Sequence, residues 1–326
     1  MIQVTVGMRD YLSRHPGLRY LFFGGKGGVG KTALAGATAL WLADNGRRTL
    51  VASTNPVHSL SSLLGQDVLG REVPVTGASN LRAYEIETAE TIERSKKEIR
   101  EKINWFLKFS DISAKADDFV ESATMNPAFE ESAMFENMVD LMMRGEHEVY
   151  VFDTAPTANA RRLLGMSKVY SMWVEKMLRS REEAKSLREM LSFSKKKEKD
   201  PLLDYLLEFR ERMGKAKDLL TDVERTAFFF ATLPEALPIA VIRRFMAWFE
   251  DFGIPVGGVV VNGVMTGQAA EGGDFVASRV RMQQGYLEQI GQTFGDNVRA
   301  LIPLFDAEVR GVDMLRQMAQ ALFTTQ

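Results

Sequence analysis

Short apolar runs, rich in β-branched and aromatic residues, recur along this 326-residue chain between longer stretches with the hydrophobic spacing of helices. Several runs are almost wholly apolar, as is typical of strands buried on both faces of a parallel sheet. The alternation of strands and helices predicts an α/β fold with a doubly wound, mostly parallel sheet. The predicted strands are Arg19–Phe23, Thr49–Ser53, Leu81–Ile86, Val149–Asp153, Ala227–Ala231, Gly257–Val261 and Ala300–Ile302.

Two long stretches interrupt this alternation. Neither Thr88–Met143 nor Leu163–Asp222 contains a convincing strand, and both have helical patterns with charged faces. We therefore expect residues 1–326 to form a single domain. Insertions at about 88–143 and 163–222 would together build a helical subdomain beside the sheet.

Methionines lie close to helical spacing in both insertions. They are Met125, Met134, Met138, Met142 and Met143 in the first insertion, and Met166, Met172 and Met177, with Trp173, in the second. Methionine is flexible and polarizable, so a Met-rich groove accepts varied apolar segments. The same side chains could instead fill the core of the subdomain, and the sequence leaves both interpretations open.

Composition restricts the classes of function. The net charge of −2 gives no reason to expect nucleic acid as a partner. The chain has no cysteine, so disulfides, thiolate metal sites and thiol nucleophiles are excluded. Neither a signal-peptide core nor an uncharged apolar run of about 18 residues is apparent. We expect a cytoplasmic protein, with peripheral attachment to a membrane left open.

The glycine-rich run Gly24–Thr32 has the context of a phosphate-binding loop. It follows the apolar run Leu18–Phe23 and leads into a helix-forming stretch, Ala33–Asn45. Its glycines let backbone N–H groups converge on a polyphosphate, and the helix N-terminus adds partial positive charge. Lys31 is placed to reach the β- and γ-phosphates, and the Thr32 hydroxyl to ligate Mg²⁺.

Two polar segments follow other predicted strands. Ser53–Leu60 comes after the second strand and Asp153–Leu164 after the Val149–Asp153 strand. Because ligands of open α/β sheets bind at the carboxyl ends of the strands, both segments should face the phosphate loop. Asp153 is the Walker-B-type candidate that would serve Mg²⁺, directly or through water.

In these segments the chain resembles the arsenite-pump and tail-anchored-protein-targeting ATPases, which belong to the deviant Walker A group of P-loop NTPases. The resemblance extends over nearly the whole chain, since matching pieces occur in the family's order. The remaining pieces are Asn126–Phe135, Pro234–Pro238, Val259–Asn262 and Pro303–Gly311.

The resemblance implies ATP and Mg²⁺ as cofactors and a homodimer in which Lys26 reaches the nucleotide of the second subunit. Asn262 would read the adenine edge, although a strand-end turn residue is an alternative. Glu235 would lie near the nucleotide or simply interact with a helix dipole. The residues expected at the nucleotide are Gly25, Lys26, Gly27, Gly28, Val29, Gly30, Lys31, Thr32, Ala33, Glu235, Asn262, Pro303 and Phe305. Those expected to act in catalysis are Lys26, Lys31, Asn55 and Asp153. Those expected to hold the metal are Thr32 and Asp153.

The departures from the family pattern carry their own predictions. Asn55 stands where the family has an aspartate that orients the attacking water, and an amide is a poor proton acceptor. Hydrolysis should therefore be slow. His58 is either a substitute base or a histidine that faces solvent or lies near the cap of a helix. Residues 158–160 are Ala-Asn-Ala in place of the family's Gly-His-Thr, and no cysteine is present, so we expect no arsenite or zinc site.

Three functions fit these observations. The leading one is a homodimeric Mg²⁺-ATP-dependent ATPase that couples its nucleotide state to binding of a hydrophobic client helix or a membrane-protein partner. The alternative is a nucleotide-gated binding module with little or no hydrolysis. A membrane- or nucleoid-positioning ATPase is the third, but the amphipathic stretch Val312–Phe323 contains only one basic residue, Arg316.

Overall fold

The computed structural model describes residues 2–54, 59–87, 90–94, 96–97, 101, 127–154, 201–265 and 273–324. Within them, eight strands form one sheet. The strands are β1 (Tyr20–Gly24), β2 (Thr49–Ser53), β3 (Val73–Pro74), β4 (Leu81–Glu85), β5 (Val149–Asp153), β6 (Thr226–Thr232), β7 (Val256–Val264) and β8 (Val298–Pro303).

The strand order is β3-β4-β2-β5-β1-β6-β7-β8. All neighbouring strands are parallel except β3 and β4, which are antiparallel. The predicted α/β class with a mostly parallel sheet is confirmed. Strand β1 lies between β5 and β6, with Phe22 in register with Phe152 and Phe228. The segment after β1 therefore begins between two neighbouring strand ends.

The central strands are held by large buried side chains. Every residue of β1, β5 and β6 is buried. The Phe22 ring stacks on Phe152 at 4.8 Å and on Phe228 at 4.3 Å between ring centroids. Stacked rings of this kind add to the free energy gained by burying apolar area. The sheet thus provides a rigid base for the segments at its carboxyl edge.

The helices of the described residues alternate with these strands. They are α1 (Met8–Arg14), α2 (Lys31–Asp44), α3 (Ser59–Leu64), α4 (Pro127–Arg144), α5 (Pro201–Thr221), α6 (Ala236–Asp251), α7 (Asp274–Phe294) and α8 (Gly311–Phe323). Helix α2 is buried along most of its length, and small residues such as Gly36 let neighbouring side chains approach it.

The edge strand β3 was not predicted. It contains only Val73 and Pro74, so it is too short to show an alternation of polar and apolar residues. Proline cannot donate a ladder hydrogen bond and is tolerated where a sheet ends. Strand β7 also differs from expectation, since it ends at Val264 rather than at Val261.

The C-terminal helix α8 packs its apolar face on α2. Phe323 stacks on Trp41 with 4.0 Å between ring centroids, and Leu315 and Met318 are buried in the same core. Arg316 pairs with Asp44 at 3.0 Å. The amphipathic pattern of this stretch thus serves internal packing. Within the described residues, no helix combines the length and the apolar character needed to cross a bilayer.

The chain divides into two compact units. One comprises residues 1–87, 137–158 and 221–326 and contains the sheet; the other comprises 88–136 and 159–220. The described residues of the second unit include the first part of α4 and nearly all of α5. The insertion boundaries given above, at about 88–143 and 163–222, remain a prediction.

The methionine pattern is described only in part. Met134, Met138 and Met142 on α4 are buried, whereas Met143 is 36% exposed. The others lie outside the described residues: Met125, Met166, Met172 and Met177, together with Trp173. The choice between a groove and a packed core stays open.

Candidate functional site

The segment between β1 and α2 has a conformation that only glycine accepts without strain at three of its positions. Gly25 has a φ of +146°, Gly28 a φ of +81° and Gly30 a φ of +90°. A Cβ atom on Gly25 would lie under 3.0 Å from the Ala231 carbonyl oxygen, and one on Gly30 equally close to the Asn262 side chain. By contrast, a Cβ on Gly27 or Gly28 would meet no atom within 4 Å. The loop is thus held tightly at both ends and leaves open space at its middle.

Lys31 is a buried cation at the first position of α2. Its residue is only 6% exposed, and its Nζ donates a hydrogen bond to the Lys26 carbonyl oxygen at 3.2 Å. Burial lowers the pKa of Lys31, and the negative charge of Asp153 partly offsets this. Lys26 itself is partly exposed, whereas Val29 is buried and Ala33 packs against the core. The two lysines of the loop therefore occupy different environments.

Asp153, the last residue of β5, meets the start of α2. Its Oδ2 accepts hydrogen bonds from the Thr32 hydroxyl at 2.7 Å and the Ser53 hydroxyl at 3.2 Å. The Thr32 Oγ1 also lies 3.3 Å from the Ser59 Oγ. Strands β2 and β5 and helices α2 and α3 each contribute one of these oxygen-bearing side chains.

The second carboxylate oxygen of Asp153 is buried and has no hydrogen-bond partner in the described part of the chain. Burial raises the pKa of Asp153, while the Thr32 bond and the charge of Lys31 lower it in part. A buried, uncompensated oxygen beside hydroxyl groups suits a hard cation that takes oxygen ligands. The residues present therefore fit Mg²⁺, which Asp153 and Thr32 could hold.

Asn262 links the loop to the far side of the site. It lies on β7, and its Nδ2 donates to the Val29 carbonyl oxygen at 3.0 Å. Strand β8 ends nearby at Pro303, and the Leu304 N–H donates to the Val264 carbonyl oxygen at 2.9 Å. Phe305 is partly buried against the core of the sheet. Loop, β7 and the end of β8 thus meet at one edge.

A family model described as Anion-transporting ATPase matches residues 18–324. The chain belongs to this family. Its resemblance to arsenite-pump and tail-anchored-protein-targeting ATPases is thereby confirmed. The family is one of ATPases with a P-loop NTPase fold, so the ATPase and ATP-binding assignments follow from membership.

Curated relatives agree with this membership. ATPase GET3B of Arabidopsis thaliana is 30% identical, covering 94% of this chain and 79% of its own. ATPase ASNA1 homolog 2 of Paramecium tetraurelia is 26% identical, covering 94% of each chain. A Halobacterium salinarum protein named as a candidate arsenical pump-driving ATPase is 32% identical over 93% of this chain, which spans only 44% of that relative.

The structure does not join every predicted site residue to this arrangement. Glu235 precedes the first residue of α6 and forms an ion pair with Arg279 at 3.6 Å, with its side chain 44% exposed. Asn55 and His58 lie outside the described residues. Lys31, Thr32, Asp153 and Asn262 are the predicted residues whose side chains contact one another or the loop.

Two hydroxyl residues of the site were missed by the sequence analysis. Ser53 and Ser59 contact Asp153 and Thr32 respectively, and they flank the Asn55 segment. The available signal was their position at the end of a strand and the start of a helix facing the phosphate loop. Serine is common in turns, however, and the side-chain pairing depends on which strands are neighbours.

Proposed function

We propose that this chain is a homodimeric, Mg²⁺-dependent ATPase with slow turnover that couples its nucleotide state to binding of a hydrophobic client. The observation that carries the nucleotide part is the pairing of Asp153 with Thr32 beside Lys31. Asp153 has a buried carboxylate oxygen without a partner in the described part of the chain, and it faces the Thr32 hydroxyl and the buried Lys31 ammonium at the start of α2. A bound Mg²⁺-triphosphate would supply the partners that these groups lack.

Each group would have a separate task. The ammonium of Lys31 would neutralise the β- and γ-phosphates, and the open middle of the loop would admit the phosphate oxygens. Thr32 and Asp153 would hold Mg²⁺, whose chemistry when bound is to neutralise charge developing on the phosphoryl group. Asn262 would accept and donate hydrogen bonds at the adenine edge, with Pro303 and Phe305 covering the base.

Slow turnover rests on Asn55. Its side-chain amide can orient a water molecule by hydrogen bonding, but it cannot take a proton from it at neutral pH. Phosphoryl transfer depends chiefly on positioning and electrostatics, so a weakened water site lowers the rate without preventing nucleotide binding.

A nucleotide-gated binding module is the second candidate, and Asn55 is the residue that favours it. In that case ATP would bind tightly and exchange of the nucleotide, instead of hydrolysis, would release the client. Both candidates share the same nucleotide site and differ in the rate of the chemical step.

Single-turnover hydrolysis of Mg²⁺-ATP, measured for the natural chain beside Asn55→Asp, separates the two. Clear turnover by the natural chain, little changed by the aspartate, supports the ATPase, because other groups then position the water. Tight ATP binding without turnover, with turnover gained in Asn55→Asp by about 100-fold or more, supports the binding module. Absence of ATP binding in both would refute the proposed function.

The client part of the proposal is supported by the family resemblance and by the methionine spacing of the two helical insertions. An apolar helix of a membrane protein is the client we propose, bound by the helical subdomain in a cytoplasmic protein. Arsenite should not stimulate the activity, because the chain contains no cysteine to supply soft sulfur ligands.

A further inference from the structure

Helix α7 contains a buried polar residue outside the predicted site. Gln283 is only 6% exposed, whereas the next residue, Gln284, is exposed. Burying a side-chain amide is unfavourable unless both its donor and its acceptor find partners. The hydrogen bonds of the Gln283 amide should therefore explain why this residue is buried.

Both ends of the Gln283 amide bind backbone at the end of β7. Its Nε2 donates to the Gly263 carbonyl oxygen at 3.0 Å, and its Oε1 accepts from the Met265 N–H at 2.8 Å. The ladder between β7 and β8 is irregular in this stretch, with a register shift between Val261 and Val264. Gly263 also has a φ of +68°. Gln283 therefore supplies backbone hydrogen bonds where the strand leaves the regular ladder.

The residue immediately before this stretch is Asn262. Its Nδ2 donates to the Val29 carbonyl oxygen, and a Cβ on Gly30 would clash with the same amide. The backbone of residues 262–265 is thus hydrogen-bonded to α7, and the side chain of its first residue is hydrogen-bonded to the phosphate loop. The Val264 carbonyl oxygen also accepts from the N–H of Leu304, the residue that follows β8.

We propose that Gln283 is a positioning residue for the nucleotide base. By clamping Gly263 and Met265, it fixes the backbone from which the Asn262 amide projects, and so sets the discrimination of adenine from other bases. This inference rests on the proposed function, in which Asn262 contacts adenine. Phosphate binding should depend less on Gln283 than base binding does, because only the end of the loop contacts Asn262, whereas its start is held by β1 and β6.

Gln283→Met tests this, because methionine is similar in length and has neither strong donor nor strong acceptor. Gln284→Met is the matched control on the same helix. The dissociation constants for Mg²⁺-ATP, Mg²⁺-GTP and Mg²⁺-tripolyphosphate are measured by calorimetry, with the melting temperature of each variant. We expect Gln283→Met to weaken ATP binding about tenfold and to lower the preference for ATP over GTP, with a clearly smaller loss of affinity for tripolyphosphate. Gln284→Met should match the natural chain.

Gln283→Glu adds a reversible version of the same test. An ionised glutamate accepts from the Met265 N–H but cannot donate to the Gly263 carbonyl, whereas a protonated one can do both. Because burial raises a carboxyl pKa, the preference for ATP should recover as the pH is lowered from about 8 to about 5.5. The natural chain, measured at each pH, corrects for protonation of the nucleotide. This variant also carries the test if Gln283→Met fails to fold.

The outcomes are distinct. An unchanged ATP-to-GTP ratio in a folded Gln283 variant would overturn the positioning role, as would an equal loss of affinity for all three ligands. If the natural chain binds ATP no better than tripolyphosphate, the base contact of Asn262 is wrong and the inference fails with it. Failure of the natural chain to bind any of the three would instead refute the proposed function itself.

Discussion

Asp153 lies in an environment that is unfavourable for its charge without a ligand. Its carboxylate is buried, and one oxygen has no partner in the described part of the chain. Replacing it with asparagine removes the charge but keeps the shape, so we expect Asp153→Asn to raise the melting temperature of the nucleotide-free protein by a few degrees. The same variant should lose the further rise that Mg²⁺-ATP gives the natural chain. A lower melting temperature for the nucleotide-free variant would contradict this account.

The pH dependence of stability has a definite sign at the same residue. Burial raises the pKa of Asp153 in the folded chain above its value in the unfolded chain. Folding therefore favours the protonated carboxyl, and this contribution to stability is complete at low pH. It is lost as the pH rises through the folded pKa and the carboxyl becomes charged. Denaturant unfolding of the natural chain and of Asp153→Asn across this window isolates the contribution. The difference should favour the variant increasingly as the pH rises, and added Mg²⁺-ATP should reduce it.

At the scale of a structural element, the phosphate loop contains two glycines whose substitution by alanine can be compared directly. Gly30 has a left-handed φ and is pressed against Asn262, whereas Gly27 has open space around it. Gly30→Ala should cost about 1 to 3 kcal/mol of folding free energy and weaken ATP binding. Gly27→Ala should fold with the stability of the natural chain. Chemical denaturation of both variants is the measurement, and equal stability of the two would show that the loop is not held as described.

Whole elements were predictable where the pattern is local. The central strands are apolar runs flanked by turns, and the loop between β1 and α2 is a contiguous motif, so both could be found without knowing the fold. Strand β3 could not, because two residues carry no periodicity. Asp153 was found because it ends a recognisable strand. Ser59 and Gln283 were missed because their contacts depend on which elements become neighbours.

On the scale of the whole molecule, the strand order of the sheet determines which functional side chains become neighbours. Strand β1 lies between β5 and β6, so the loop that follows it opens beside Asp153 on one side and the end of β6 on the other. The side chains that donate hydrogen bonds to Asp153 belong to Thr32 and Ser53, about 100 or more residues earlier in the chain. Parallel topology therefore places groups that are distant in sequence at one edge, as expected for an open α/β sheet.

The phosphate loop also leads us to predict that two chains assemble into a dimer. Lys31 is buried and bonded to its own loop, so we expect it to act within its own subunit, whereas Lys26 is partly exposed. We expect Lys31→Ala to abolish ATP binding. Lys26→Ala should keep the affinity of a single subunit for ATP but reduce ATP-dependent dimerisation and activity, because the second lysine would then no longer reach the partner's phosphates.

Sedimentation velocity with and without Mg²⁺-ATP measures this, with calorimetry on the same samples to establish binding. The two substitutions remove the same group from the same loop, which makes each the control for the other. Loss of dimerisation in Lys26→Ala at full ATP occupancy would assign the exposed lysine to the partner subunit. Unchanged assembly and activity in Lys26→Ala would refute the cross-subunit role. The exposed lysine would then be an ordinary solvated charge, and any ATP-dependent dimer would have to be held by other contacts.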